Sequence, residues 1–171
     1  MILESIIRRR SVREFAEEPV LEQSVEDVIK AAQFAPTARD NRAVEFIVVR
    51  DQAIKDRLSE AAGQDFVQKA PIILVLASDA NKSVLPEFDL ALATGFAMIQ
   101  ASELQLGTVW KNIPAGVQAN KVREILQIPD NFKFINLLPL GYPLNEPLQH
   151  TEAEFEKSKI HYETWTGPKK C

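Results

Sequence analysis

Residues 3–15 read Leu3-Glu4-Ser5-Ile6-Ile7-Arg8-Arg9-Arg10-Ser11-Val12-Arg13-Glu14-Phe15, an apolar helical turn that runs straight into four arginines and a serine. A guanidinium is permanently charged and presents its donors as a fork, so a cluster of this kind can hold a small anion such as phosphate. A second reading is equally physical. Ile2, Leu3, Ile6 and Ile7 would pack as one helical face, while the arginines complement the negative end of the helix dipole and stay in water. A short basic cluster does not by itself separate the two.

Outward from this stretch, the 171 residues correspond to one domain, long enough to bury roughly 70% of the unfolded surface. The 46% hydrophobic and 26% charged residues are ordinary for a globular protein. A net charge of -4 makes the arginine cluster a local island and argues against a nucleic-acid partner. The only cysteine is Cys171, and the histidines, His150 and His161, have no cysteine near them, so neither a disulfide framework nor a metal site is expected. The longest apolar run, Ala70 to Ala77, is far short of the roughly 20 residues of a membrane helix. Ile2 to Ile7 precedes its arginines, the reverse of a secretory signal, so the expected location is the cytoplasm, without a membrane partner.

Along the chain, Ser24 with Asp27 resembles a capping box and predicts a helix over 25–34, stopped by Pro36. A polar stretch, 37–42, precedes a strand at 44–50. Asp51 caps a helix carrying Ile54, Leu58 and Ala61, with Gly63 beyond its end. Ile72 to Leu76 is an unbroken apolar run, as in a strand covered on both faces. The stretch 87–106 predicts a long helix that is apolar nearly all round, hence buried in a large core or against a second subunit; for so short a chain the subunit is favoured. Short strands at 108–110 and 133–140 flank a helix at 119–126. From Glu146 the chain reads as an arm with Tyr162 and Trp165 as isolated anchors. Residues 1–165 thus form one domain with the arm at about 146–165, and 166–171 a disordered tail. Alternating strands and helices alone would suggest a doubly wound parallel sheet.

Arg9, Arg10, Ser11, Val12 and Arg13 with Phe15 resemble the N-terminal signature of the FMN-dependent nitroreductase family. Ala35-Pro36-Thr37-Ala38, Ala70-Pro71, Leu138-Pro139-Leu140-Gly141-Tyr142-Pro143 and finally His161, Tyr162 and Trp165 follow in the family's order. The resemblance covers nearly the whole chain. It implies an α+β fold, a three-layer α-β-α sandwich around a central mixed β-sheet, in an intertwined homodimer that binds FMN at its interface. It also implies NAD(P)H as electron donor and a nitroaromatic, quinone or similar small molecule as acceptor, in ping-pong turnover. The chemistry would then belong to the flavin, which accounts for the lack of an acid/base dyad or activated nucleophile.

Carried over residue by residue, the resemblance gives Arg9 and Ser11 roles at the FMN phosphate and ribityl chain, with Arg10 nearby through backbone or side chain. Arg13 stands at the basic position beside the flavin pyrimidine ring, as the one catalytic candidate, where a fixed cation stabilises charge developing on reduction. Pro36, Thr37 and Ala38 match a segment that lines the partner's flavin, and Leu138, Pro139, Leu140 and Gly141 a loop near its N5; a strand end and turn would serve the last four equally well.

Three departures stand out. Asp40 and Arg42 occupy positions where the family often has Asn and Gln, although a slip of one residue would bring in Asn41 instead. Arg42 could partner Asp40 or act as a second cation. The arm lacks the family's basic phosphate ligand between Pro143 and Lys157, with His150 as its possible substitute. Lys111 after Trp110 would lie at a substrate mouth or face water. A flavin-sequestering protein with little turnover and a non-redox dimer for a phosphorylated ligand are the competing functions.

Overall fold

The computed structural model describes residues 1–165; the expected tail at 166–171 lies outside the described residues. At its centre is β2 (Ile72–Asp79), every residue of which is buried, as the unbroken apolar run requires. β1 (Val44–Val49) pairs with one side of it, Val44 opposite Ser78 and Val49 opposite Ile73. On the other side runs β6 (Asn136–Gly141), with Leu140 opposite Ile72 and Leu138 opposite Leu74. β3 (Gly107–Thr108) and β4 (Lys111–Asn112) pair with β6, and β5 (Phe132–Lys133) pairs with the far end of β2. All these ladders are antiparallel, which excludes the doubly wound parallel sheet. The parallel component of the mixed sheet, among the described residues, is the bridge between Ser11 and Thr108.

Alternation along β2 divides the core in two. Ile72, Leu74 and Leu76 face Val25, Val28 and Ala32 of α2 (Glu22–Gln33) and Leu90, Ala93, Ala97 and Ala101 of α5 (Pro86–Glu103). Ile73, Val75 and Ala77 face Leu58 and Ala61 of α3 (Gln52–Ala62), Val67 of α4 (Phe66–Lys69) and Val122 of α6 (Val117–Leu126). The result is the three-layer α-β-α sandwich. Each fully buried Leu, Ile or Val contributes about 1.5–3 kcal/mol, so both faces are needed to stabilise the sheet.

Asp51 accepts from the Ile54 amide at 2.9 Å and Gly63 takes the left-handed conformation (φ 65°), both as the sequence predicts. Other boundaries differ. α2 starts at Glu22, without a side-chain cap, because packing of Val25, Val28 and Ala32 on α5 fixes it; Ser24 and Asp27 lie inside the helix. The strand expected over 133–140 breaks at Phe134-Ile135 into β5 and β6, and α4 has no counterpart in the predicted pattern.

Among the described residues, apolar surface stays uncovered on α1 (Glu4–Arg8), on α5 and along the arm, where Tyr162 and Trp165 are exposed. In α1 the buried residue is Ser5, while Ile2, Leu3 and Ile6 are exposed, so the expected apolar face is not packed within this chain. α5, expected to be buried on nearly every face, buries one side within this chain, while Phe88, Leu92 and Phe96, at i, i+4 and i+8, remain 68%, 45% and 43% exposed.

Candidate functional site

The signature segment lies extended against the sheet. The Val12 amide donates to the Thr108 carbonyl at 2.9 Å, Ala16 to Tyr142 at 2.9 Å, and Leu144 back to Glu14 at 3.0 Å. Two glycines permit this approach. A Cβ on Gly107 would sit 2.7 Å from Val12 Cβ, and one on Gly141 would sit 2.5 Å from Pro71 Cδ and 3.1 Å from the Phe15 ring. Val12 is buried, whereas Ser11 and Arg13 are exposed, the Arg13 guanidinium lying 5.9 Å from the Phe66 ring centroid.

A cleft of about 470 Å³ opens beside this segment, lined by Arg8, Arg9, Arg10, Thr108, Tyr142 and Gln149 among others. Its three arginines are not equivalent. Arg8 makes long ion pairs to Glu4 (4.0 Å) and Glu103 (3.9 Å). Arg10 is engaged by the chain's own arm: Nε donates to the Leu148 carbonyl at 2.7 Å, and Nη2 to the Gln149 carbonyl at 3.1 Å and to Glu154 Oε1 at 2.9 Å. His150 joins this cluster, its Nδ1 2.7 Å from Glu154 Oε2 and its amide bonded to the Ile7 carbonyl. His150, the Thr151 amide and Arg10 together hold the Glu154 carboxyl down to about 2. Of the run Arg8 to Arg10, Arg9 is the one without an ion pair among the described residues. The helix-end reading fits Arg8, whereas Arg10 is taken up by the arm, which neither reading foresaw.

A second cleft, of about 610 Å³, is lined by residues 32–37 with Asp40, Arg42 and Val44, and shares no lining residue with the first. Its rim is the turn at 37–42, where Arg39, Asp40 and Arg42 all have positive φ (59°, 51° and 48°). Such conformations cost non-glycine residues about 1–3 kcal/mol each and persist only when neighbours enforce them. The Arg42 Nε donates to Asp40 Oδ1 at 3.1 Å, so Arg42 is the partner of Asp40. Asn41 is turned inward: its amide donates to the Ala38 carbonyl (2.7 Å) and Asp89 Oδ2 (2.8 Å), and its oxygen accepts from Ala43 N (2.8 Å).

Asp89 was not singled out by the sequence, though a carboxylate between Phe88 and Leu90 in an apolar helix is a signal, since such a group needs partners. Burial pushes its pKa up, but donors from Asn41, Ser83 and Ala38 outweigh this and leave it below its ordinary value. Lys55 is a second unforeseen group. Burial lowers its pKa, and Nζ donates to the carbonyls of Ala70 (2.9 Å) and Pro71 (3.4 Å), fixing the ring that abuts Gly141.

The segment 138–141 is part of β6 and not a loop. Leu138, Pro139 and Leu140 are buried, with Leu138 and Leu140 in the core below α5, because β6 is an inner strand of the sheet. Among the described residues no group of His, Cys, Asp and Glu could hold a metal ion, and no helix is long and apolar enough to cross a membrane.

Comparison with known proteins agrees with this geometry. The FMN reductase [NAD(P)H] of Bacillus subtilis is 26% identical over 189 residues, covering 96% of this chain and 74% of that protein. A NADH dehydrogenase of Thermus thermophilus is 28% identical, over 82% of this chain and 85% of that one. The solved FMN-dependent nitroreductase of Clostridium difficile superposes with a TM-score of 0.89 at 26% identity, covering 94% of this chain and 98% of that one. A profile of the Nitroreductase family matches residues 6–69 and 59–142, nearly the whole folded core: this chain belongs to the nitroreductase family.

Proposed function

We propose that the protein is an FMN-dependent oxidoreductase that takes electrons from NAD(P)H and delivers them in ping-pong turnover to a nitroaromatic, quinone or similar acceptor, with two copies of the chain building each flavin site. The observation that carries this reading is the separation of the two candidate surfaces. Arg9 borders the first cleft, Ser11 and Arg13 follow it on the same extended segment outside that cleft's lining, and Pro36, Thr37, Asp40 and Arg42 border the second. A site using both sets requires either one very large ligand or a second chain, and the uncovered stripe of Phe88, Leu92 and Phe96 favours the chain.

FMN, when bound, supplies the ring that accepts hydride and passes electrons on. The protein binds and orients it. Arg9 and Ser11 offer a cation and a hydroxyl to the phosphate end, with the Arg10 backbone beside them. Arg13 would hold a cation near the pyrimidine side, and the segment at 36–38 of the second copy would line the ring, with Asp40 next to it. Asp40 is neutralised by Arg42, so the pair adds little net field against charge gathering on the ring. Glu154 pairs with Arg10 and with His150, the possible substitute for the basic residue the arm lacks, which favours, as a second reading, flavin binding with little turnover.

Purified protein is expected to retain yellow FMN that NADH or NADPH bleaches. Bleaching separates turnover from sequestration, and a colourless protein that does not take up added FMN overturns the proposal. Arg9→Ala is expected to weaken FMN binding by about 1.5–3 kcal/mol, roughly ten- to a hundredfold, the range for a hydrogen bond to a charged group. Arg8→Ala, outside the matched signature and facing Glu4 and Glu103 at 4.0 and 3.9 Å, should change it little; equal effects would point to a diffuse basic patch.

Arg13→Gln tests the electrostatic role. A guanidinium near the ring favours the reduced state over the oxidised one, so its removal lowers the midpoint potential. A loss of about 1.4 kcal/mol corresponds to a fall of roughly 30 mV for two electrons. A potentiometric titration with an unchanged or higher midpoint, flavin still bound, would leave Arg13 as a packing or phosphate residue.

A further inference from the structure

Asp89 sits on α5 with 2% of its surface exposed, and its carboxylate gathers three donors from two other segments. Oδ1 accepts from the Ala38 amide at 2.8 Å; Oδ2 accepts from Asn41 Nδ2 at 2.8 Å and from Ser83 Oγ at 2.6 Å. Two of the three are in the turn at 37–42, and they bracket Arg39 and Asp40, two of its three left-handed residues. Without the clamp that turn would relax, because three such residues within four positions are each costly and its other backbone-amide hydrogen bonds, from Asp40 and Arg42 to Thr37 and from Ala43 to Asn41, come from the turn and the residue that follows it. The contacts with Asp40 that Arg42 makes lie on the exposed side and cannot enforce a backbone shape.

We propose that Asp89 is a positioning residue for the flavin: its buried carboxylate fixes the turn at 37–42 in the shape by which Thr37, Ala38 and Asp40 meet the FMN held by the other copy of the chain. This rests on the functional reading above. The same helix presents Phe88, Leu92 and Phe96, so α5 carries both the clamp and the surface proposed to receive the second chain. Ser83 is bound to the same carboxylate oxygen as Asn41 but belongs to the α5 entry, where its Oγ also accepts from the Leu85 amide. It therefore serves as a control for loss of a hydrogen bond to Asp89 without release of the turn.

An amide has one acceptor oxygen and one NH2 group, so in Asp89→Asn either orientation sets an N–H against one of the two donors from the turn. Asp89→Asn, Asn41→Ala and Ser83→Ala are to be compared with the unaltered protein by FMN titration, followed through flavin fluorescence, and by the rate of trypsin cleavage after the exposed Arg39 and Arg42. Urea unfolding of each provides the stability baseline. The expected result is at least tenfold weaker FMN binding and at least tenfold faster cleavage in Asp89→Asn and Asn41→Ala, with both quantities within twofold in Ser83→Ala. Should Asp89→Asn not fold, Asn41→Ala carries the comparison alone. FMN affinity within twofold of the unaltered protein in Asn41→Ala or a folded Asp89→Asn, or an equal loss in Ser83→Ala, overturns the inference while leaving the functional reading intact. An unaltered protein that binds no FMN overturns both, and the cleavage rates then report only the turn.

Discussion

Phe96→Asp is expected to turn a dimer into a folded monomer at micromolar concentration. In the single chain Phe96 is nearly half exposed and belongs to a stripe with Phe88 and Leu92, so a charge there is solvated and folding is almost unaffected. In a dimer that covers α5 the same carboxylate is stripped of water without a partner, at a cost of several kcal/mol per site. Two sites related by symmetry raise the dissociation constant by more than a thousandfold, at 1.4 kcal/mol per factor of ten. Sedimentation velocity at several concentrations measures this, with FMN retention scored in parallel, since a site built from two chains is lost with the dimer. The unaltered protein should bury more than about 2,000 Å² between its subunits, the range of obligate pairs. A stable, folded monomer of the unaltered chain, or a Phe96→Asp variant that remains dimeric, would sink the two-chain site.

Gly141→Ala should destabilise the fold by about 3 kcal/mol, the upper end for an added methyl group in a packed interior. The reason is what the Cβ meets: Pro71 Cδ at 2.5 Å and Cγ at 2.8 Å, then the Phe15 ring at 3.1 Å. A flexible side chain would swing aside, but a proline ring is part of the backbone. Pro71 is further held by Lys55, whose ammonium donates to the carbonyls of Ala70 and Pro71. Relief must come from moving the end of β6 away from Pro71 at the start of β2, and from the segment at 9–16. The urea midpoint is the readout, with an unchanged slope; a loss under 1 kcal/mol would mean that the strand end yields easily. Because Phe15 anchors the signature segment against Gly141, FMN affinity is expected to fall in step with stability.

Much of this architecture was legible because local chemistry dictates it. The unbroken run at 72–76 has no polar position to expose, so it had to become an inner strand. Asp51 and Gly63 bound α3 through backbone groups that a cap and a left-handed residue satisfy within a few residues. The signature at 9–15 was readable as a pattern, and with it the family. Less legible was the role of each arginine, because three adjacent guanidinia look alike until the partners from α5 and the arm, more than ninety residues away, are in place. The order of strands escaped for the same reason: alternation of strands and helices is compatible with parallel or antiparallel pairing, and the choice depends on long-range packing.

The sequence by itself determined the inner strand and, through its signature, the family, and it marked the N-terminal arginines as an anion-binding candidate, since each rests on composition or spacing within a short stretch. Only the tertiary structure decided that Arg8 faces two carboxylates and Arg10 is held by the arm while, among the described residues, Arg9 has no ion pair, that Leu138 and Leu140 belong to the core, and that Asp89 gathers donors from the turn at 37–42. These depend on which donors and acceptors meet across distances of tens of residues, and hydrogen bonds, unlike apolar periodicity, leave no repeat in the sequence by which to find them.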